Sequence, residues 1–342
     1  MGYDVIGLGA PVVDLVLQVS EDFLQGVGGI KGGQEPVDTV AIKKILETAV
    51  SEPLRAPGGS STNTIKALAN LGRKCAMIGM TGEDEEAVYF SSSLKQQNIV
   101  PLLSSSQSSP TAKVVCMVTP DGERTMRSNL GACVEMKPEY LKAEYFEYAS
   151  LLHIEGYTLY NSPLPIRAME LAKEAGVKIS LDLASFEIVH QFKDLITEIL
   201  EKYVDIVFTN ELEAEALTGK DEKTTCIYLS SLCEVAVVSI GKEGCYVAKE
   251  GEVKHFPAFP KEALDTTGAG DLFAGGFLHG YLDGESLELC ARNGALLGAE
   301  AVQHLGAEVP ASDWIKLRDQ IAASVSPVVK KNIREKKEAV GS

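Results

Sequence analysis

Short apolar runs alternate with stretches of helical spacing along most of the chain. The runs predict buried strands at residues 4–8, 75–79, 151–155, 177–181, 205–209 and 235–240. Between them, apolar positions three and four residues apart predict helices, for example at 165–175 and 188–202. This alternation predicts an α/β fold in which helices cover both faces of a mainly parallel sheet, with ligands bound beyond the carboxyl ends of its strands.

Two regions interrupt the alternation and predict a second, smaller sheet. The first begins with apolar positions at 12–19 and runs into a glycine-rich stretch at 26–33. The second has strand-forming residues at 111–119 and 124–127 on either side of Pro120-Asp121-Gly122. Proline, aspartate and glycine between two such runs favour a β-hairpin.

These interruptions predict one core with an inserted cover rather than two sequential domains. We expect the core to span residues 1–325, with the strands of a small β-sheet lid contributed from about 12–40 and 111–130. Residues 326–342 are rich in Lys and Arg and poor in apolar side chains, which predicts a solvated charged tail.

The charge balance is acidic, since 32 Lys and Arg stand against 48 Asp and Glu for a formal net charge of −16. Nucleic-acid binding needs a basic face, so no nucleic-acid partner is expected. Any phosphate must therefore be bound by a local arrangement, against the field of the whole protein.

The 7 cysteines are scattered without a Cys-x-x-Cys pair, which favours reduced thiols and a cytoplasmic location over disulfides or a zinc site. No window approaches the roughly 18 consecutive apolar residues of a membrane span, and no signal-peptide pattern is visible. We expect no membrane partner.

The most informative motif is Asp265-Thr-Thr-Gly-Ala-Gly-Asp271. Gly268, Ala269 and Gly270 let backbone N–H groups approach a ligand, and the helical spacing that follows would put these groups at a helix N-terminus that attracts an anion. An aspartate in the same turn suits phosphoryl transfer, in which it accepts the proton of the attacking hydroxyl. The alternative is that Asp271 merely caps the helix.

A second cluster, Gly58-Gly59-Ser-Ser-Thr-Asn63, precedes another predicted helix. Paired glycines allow close approach of a ligand, and Asn63 can donate to and accept from sugar hydroxyls. The alternative is an ordinary glycine turn with an asparagine cap. A phosphate-binding GxxxxGK[ST] loop is absent, and Gly7-Leu-Gly9 lacks the third glycine of a dinucleotide fingerprint.

Together the two clusters resemble the two signatures of the ribokinase-type (PfkB) carbohydrate kinase family, over roughly residues 3–320. Within that family, the Asn63-x-Ile-Lys66 form, Gly122-Glu-Arg-Thr-Met and Asn129-Leu-Gly-Ala resemble the adenosine kinase branch. The resemblance implies a three-layer αβα core of ribokinase-like fold with a mainly parallel sheet and a small β-sheet lid.

The resemblance also implies roles for single residues in the acceptor site. Asp271 would be the base that deprotonates the acceptor hydroxyl, with Gly268, Ala269 and Gly270 as the anion hole. Arg124 would reach the transferred phosphate, which a guanidinium binds as a fork. The substrate-binding residues would be Asp14, Gly58, Gly59, Asn63, Asn129 and Glu155.

On the nucleotide side, the resemblance implies ATP and Mg²⁺. The ATP-side residues would be Asn210, Ser239, Gly241, Gly244 and Asn293. Glu213, four residues into Asn210-Glu-Leu-Glu213, would act near Mg²⁺, although Asn210 and Glu213 are also spaced as a helix capping box. Asp265 and Thr267 match the region where some members of the family bind a monovalent cation such as K⁺.

The expected activity is ATP-dependent transfer of the γ-phosphoryl group to the 5′-hydroxyl of a nucleoside such as adenosine, inosine, guanosine or cytidine. Phe23, Leu24 and Met126 could supply apolar surface for the base. Alternatives are a kinase of free ribose or fructose, and an inactive relative with a structural or regulatory role. The expected partners are small-molecule substrates and ATP, with the protein a monomer or a homodimer.

Overall fold

The computed structural model describes residues 2–324, so the predicted tail at 326–342 lies outside the described residues. Its strands are β1 (Val5–Leu8), β2 (Val12–Gln18), β3 (Gln34–Pro36), β4 (Leu54–Gly58), β5 (Cys75–Gly82), β6 (Ile99–Ser106), β7 (Ala112–Val118), β8 (Arg124–Asn129), β9 (Leu151–Glu155), β10 (Lys178–Asp182), β11 (Ile206–Asn210), β12 (Val235–Ser239), β13 (Cys245–Lys249) and β14 (Glu252–Phe256).

The helices connect these strands and cover the sheets. They are α1 (Glu21–Val27), α2 (Thr39–Thr48), α3 (Ser60–Asn70), α4 (Glu85–Gln96), α5 (Pro163–Glu174), α6 (Phe186–Lys202), α7 (Glu211–Thr218), α8 (Glu222–Leu229), α9 (Ala269–Leu282), α10 (Leu287–Ala301) and α11 (Ala311–Ser324). None of the helices in this part of the chain is long and apolar enough to cross a membrane.

A nine-stranded sheet has the order β14-β13-β12-β11-β10-β9-β1-β5-β6. Its strands from β12 to β6 pair in parallel, whereas β13 and β14 add antiparallel strands at one edge. The parallel strands other than β6 are the apolar runs recognised in the sequence, because strands covered on both faces bury nearly all their side chains. The edge strand β6 is partly exposed and was not predicted. The predicted α/β fold with a mainly parallel sheet is confirmed.

A second sheet of five strands has the order β3-β8-β7-β2-β4. The predicted hairpin is present, with β7 and β8 antiparallel and Val118 opposite Arg124. The segment 54–58, which lies beyond the expected 12–40, also joins this sheet as β4. Its sequence, Leu-Arg-Ala-Pro-Gly, has no alternation, and Pro57 is tolerated because β4 is an edge strand.

Alternation along the small sheet separates two environments. Val13, Leu15 and Val115 lie on one face of the small sheet and are buried in a cluster with Leu24 of α1 and Ile42 of α2. The intervening positions of β2, β7 and β8 face a cavity over the large sheet. The small sheet therefore forms one wall of that cavity, and the carboxyl ends of the parallel strands form the floor.

Candidate active site

The Asp265–Asp271 motif forms the loop before α9 and its first turn. Gly268 is the N-cap and has a φ of +73°, and a Cβ on it would lie 2.4 Å from Cβ of Ala307. Only glycine meets both conditions. No side chain caps the first turn of α9, and the N–H of Ala269 donates to the carbonyl of Thr266 at 3.2 Å. The remaining N–H groups of the turn form an electropositive end that suits an anion.

Asp271 is the third residue of α9, but its carboxylate bonds to α3 instead of capping its own helix. Ser60 Oγ donates to Oδ1 at 2.7 Å, and Asn63 Nδ2 donates to Oδ2 at 2.9 Å. Burial raises the pKa of Asp271, while the bonds from Asn63 and Ser60 and the charge of Lys66 oppose that rise. The carboxylate of Asp271 therefore lies beside the candidate anion-binding turn, and its hydrogen bonds come from α3 and not from the N-terminus of its own helix.

The paired glycines before α3 make room for protein atoms. A Cβ on Gly58 would lie 2.1 Å from Asp14 Oδ2, and a Cβ on Gly59 would lie 2.3 Å from the carbonyl oxygen of Ala10. Gly59 also has a φ of +100°. Gly59 and Asn63 line the cavity between the two sheets, whereas Gly58 does not.

Two further carboxylates face the same cavity. Asp14 lies on β2, and burial raises its pKa to about 6 against the opposing charges of Lys66 and Arg124. Glu155 ends β9 and accepts backbone N–H bonds from Ala10 and Ser61, each at 2.8 Å. Burial raises the pKa of Glu155 to about 7. Because its oxygens already bind backbone, Glu155 shapes the floor around Ala10.

The cavity between the two sheets has a volume of about 400 Å³ and two unlike sides. The polar side carries the carboxylates of Asp14, Glu155 and Asp271 with the amide of Asn63. The inner face of the small sheet, which also carries Asp14, Arg124 and Ser128, contributes an apolar wall. Its apolar residues are Val12, Val114, Cys116, Met126 and Leu130.

Arg124 extends from β8 of the small sheet to the loop before α9. Its guanidinium bonds to Asp265 Oδ2 at 2.6 Å and to the hydroxyl of Thr267, and Nε donates to Sγ of Cys116 at 3.1 Å. Burial would raise the pKa of Asp265, but the bonds from Arg124, Gly306 and Thr267 outweigh it and lower that pKa. Asp265 and Thr267, which were expected at a monovalent-cation site, are thus bonded to the guanidinium of Arg124.

Asn210 and Glu213 form the capping box of α7. Glu213 N donates to Asn210 Oδ1 and Asn210 N donates to Glu213 Oε2, both at 3.0 Å. Both residues also line the cavity, and burial raises the pKa of Glu213 to about 7.

Asp182, the last residue of β10, lies in the same cavity and was missed by the sequence reasoning. Burial and then the charges of Glu213 and Asp271 raise its pKa well above the usual range. Its signal in the sequence is only that it is acidic at the end of a central strand. Asp182 and Glu213 bring carboxylate oxygens to the same cavity, which suits Mg²⁺ because that ion prefers oxygen ligands.

A second cavity of about 740 Å³ lies on the other side of the anion-binding turn. The loop after β12 contributes Ser239, Gly241 and Gly244, and α9 and α10 contribute mainly small side chains. Ser239, Gly270 and Phe273 line both cavities. The turn at 268–270 therefore stands at the junction of two ligand-sized spaces, as transfer between two bound molecules requires.

Several predicted residues are not brought to either cavity. Asn129 donates from Nδ2 to the carbonyl of Val37 at 2.8 Å, at the far end of β8. Asn293 is buried between α9 and α10, with its backbone against Gly276 and its side-chain amide near Gly280. Leu24 packs under the small sheet, with Phe23 against the same cluster. These side chains bond or pack elsewhere because their positions on strand or helix direct them away from both cavities.

Comparisons with known proteins identify similar chains. A model of the pfkB family of carbohydrate kinases matches residues 37–314. Probable fructokinase-2 of Arabidopsis thaliana is 30% identical over 250 residues, which cover 68% of this chain and 75% of that protein. Adenosine kinase 1 of Arabidopsis thaliana is 29% identical over 278 residues, covering 74% and 80%. The crystal structure of adenosine kinase from Sinorhizobium meliloti is 30% identical, with a TM-score of 0.84 and coverage of 94% and 100%.

Proposed function

Because this chain belongs to the pfkB family of carbohydrate kinases, we propose that it transfers the γ-phosphoryl group of ATP to the 5′-hydroxyl of a nucleoside. The observation that carries the choice of a nucleoside is the apolar wall of the 400 Å³ cavity. A free sugar has hydroxyls around its whole ring and would leave them unpaired against such a wall. A nucleoside presents polar ribose to Asp14 and Asn63 and the flat face of its base to Val114, Met126 and Leu130.

Asp271 is the general base in this proposal. Its carboxylate is held by Ser60 and Asn63 next to the anion-binding turn, so it can accept the proton of a hydroxyl that points at the turn. The N–H groups of the α9 N-terminus then stabilise the charge on the moving phosphoryl group. Asp14 accepts hydrogen bonds from the ribose 2′- and 3′-hydroxyls.

ATP occupies the second cavity, with its adenine between the 239–244 loop and the small side chains of α10. Asp182 and Glu213 would hold Mg²⁺, directly or through water, and the ion would neutralise phosphate oxygens when bound. Arg124 binds the same phosphate region from the small sheet. The small sheet acts as a lid over the core and excludes water, which would otherwise compete as acceptor.

A free sugar is the second candidate acceptor, because relatives of this chain include proteins named as fructokinases. The polar side of the cavity offers the same carboxylates to a sugar. An inactive relative is disfavoured, since the turn at 268–270, Asp271 and its hydrogen bonds are all present.

The test is ADP formation from ATP and Mg²⁺ across a panel of adenosine, inosine, guanosine, cytidine, ribose and fructose. We expect turnover with at least one nucleoside and a far higher kcat/KM than with either sugar. Met126→Asn should lower kcat/KM for that nucleoside about tenfold or more, because it places an amide in the apolar wall, and should leave ribose turnover unchanged. Turnover of ribose or fructose with no nucleoside would overturn the nucleoside assignment.

A further inference from the structure

Lys66 is a buried cation that the proposed chemistry does not use. It lies on α3 one turn after Asn63, and only 4% of its surface is exposed. Its ammonium donates to the carbonyl of Pro57 at 2.8 Å, to Asn63 Oδ1 at 3.2 Å and to Glu308 Oε1. An ammonium has three protons and accepts nothing, so these partners use its full donor capacity.

The Asn63 amide is held between Lys66 and Asp271. Its oxygen accepts from Lys66 and its nitrogen donates to Asp271 Oδ2 at 2.9 Å. A lysine can only donate and a carboxylate can only accept, so one orientation of the amide satisfies both neighbours. The ammonium therefore dictates which end of the amide reaches Asp271.

We infer that Lys66 is a positioning residue, which orients Asn63 and through it the carboxylate of Asp271 for phosphoryl transfer. This inference rests on the proposed function, because it takes Asp271 as the base. The inference goes beyond the proposed function because it assigns a role to Lys66, whose side chain lies behind the site and does not line the acceptor cavity.

The electrostatics agree with the geometry. Burial raises the pKa of both Asp271 and Asp14, and the charge of Lys66 opposes the rise in each case. Arg124 on β8 also lowers the pKa of Asp14. Among the described residues, the other titratable groups that interact with Asp271 are the carboxyl groups of Asp14 on β2, Glu155 on β9 and Asp182 on β10, and the phenol of Tyr157 after β9. Lys66 offsets part of their repulsion.

The counter-ion of Lys66 belongs to a segment that also supports the anion-binding turn. Gly306 N donates to Asp265 Oδ2 at 2.7 Å, and Ala307 lies against Gly268. Glu308 follows directly and reaches Lys66, although its own side chain is 43% exposed. Residues 306–308 therefore connect the turn that would bind phosphate to the helix that holds the base.

The experiment compares Lys66→Met and Glu308→Gln with Asp271→Asn and with Lys43→Met, an exposed charge control on α2. Steady-state kcat and KM are measured against pH with the acceptor that the panel identifies. For Lys66→Met we expect kcat to fall about 10²-fold, as for a misplaced reacting group, with a smaller change in KM for ATP. The acidic limb of its kcat profile should move to higher pH, because the cation that lowers the pKa of Asp271 is gone.

Glu308→Gln tests the same inference with the opposite sign. It keeps an oxygen for Lys66 and removes the negative charge, so the ammonium acts more strongly on Asp271 and the acidic limb should move to lower pH. A merely structural role would lower the melting temperature of both variants without moving the limb in opposite directions. An unchanged limb in both variants overturns the inference.

Two readouts separate the inference from the proposed function. If Asp271→Asn keeps wild-type kcat, the proposed function fails, and if it is inactive while Lys66→Met matches wild type, only the inference fails. Crystal structures of wild type and Lys66→Met give a readout without activity. We expect the Asn63 amide to leave Asp271 Oδ2 in the variant, and an Asn63–Asp271 bond that persists at about 2.9 Å refutes the inference. If Lys66→Met does not fold, Glu308→Gln decides.

Discussion

Replacing Asp271 with asparagine removes the proposed base while leaving the shape of the site. The asparagine oxygen can accept from Asn63 Nδ2, and its NH₂ group can donate to Ser60, whose hydroxyl can also accept. Both hydrogen bonds to α3 are therefore kept. Burial raises the pKa of Asp271, so the ionised carboxylate is strained by desolvation at neutral pH. The neutral variant should fold with wild-type stability or slightly better.

The expected loss of activity follows from the proton transfer alone. General-base catalysis contributes about 10²- to 10⁴-fold, or about 3 to 5 kcal/mol of the barrier. We therefore expect kcat for the identified acceptor to fall by that factor, with KM for ATP changed little because the second cavity lies beyond the turn. The assay is ADP formation at saturating substrates, with melting temperature measured in parallel.

Asp319→Asn is the matched control, since it makes the same change on the exposed side of α11. It should have wild-type kcat. A kcat for Asp271→Asn within tenfold of wild type would refute the reasoning, as would an equal loss in the control. A large fall in melting temperature for Asp271→Asn alone would contradict the claim that its hydrogen bonds are kept.

Three more predictions concern the same site. Arg124→Ala should lower kcat about 10²-fold, because it removes the cation that joins the small sheet to Asp265. The control Arg318→Ala on α11 should keep wild-type kcat. If Arg124→Ala has the same kcat and KM as wild type, Arg124 is not part of the site. Gly268→Ala should lower both kcat and melting temperature, because the added Cβ would collide with Ala307. Gly219 is the control, since it also has a positive φ of +68° but open space around its Cα. Gly219→Ala should cost only about 1 kcal/mol of backbone strain and keep wild-type kcat. Finally, kcat/KM should fall as the pH drops through about 6, where Asp14 takes up a proton, and a profile that stays flat there would contradict its role.

Much of the site is readable from local sequence because its elements are local. The Asp265–Asp271 motif puts small residues and a carboxylate within one helical turn, so neighbours in the chain are neighbours in space. The capping box of Asn210 and Glu213 is recognisable for the same reason. The apolar runs predict the parallel strands because burial on both faces demands continuous apolar sequence.

Other parts of the site depend on pairings that no local pattern contains. Asp182 and Lys66 carry no motif beyond their charge, and they reach the site through the sheet order and the docking of α3 on α9. Asn293 has the sequence position expected of an ATP-side residue, yet the orientation of α10 directs its side chain toward α9. The β4 strand is invisible because proline and glycine interrupt it.

The sequence alone determined the layered α/β architecture and the turn of small residues before α9 with the carboxylate of Asp271 beside it, since periodicity and short motifs express forces between near neighbours in the chain. Only the tertiary structure decided which distant side chains meet there. Pairing of β2 with β4 brings Asp14 against Gly58, the approach of β8 to the loop before α9 brings Arg124 onto Asp265, and the loop before α11 brings Glu308 onto Lys66. These contacts depend on the register of paired strands and on how the helices pack against the sheets, and both are set by the packing of the whole core.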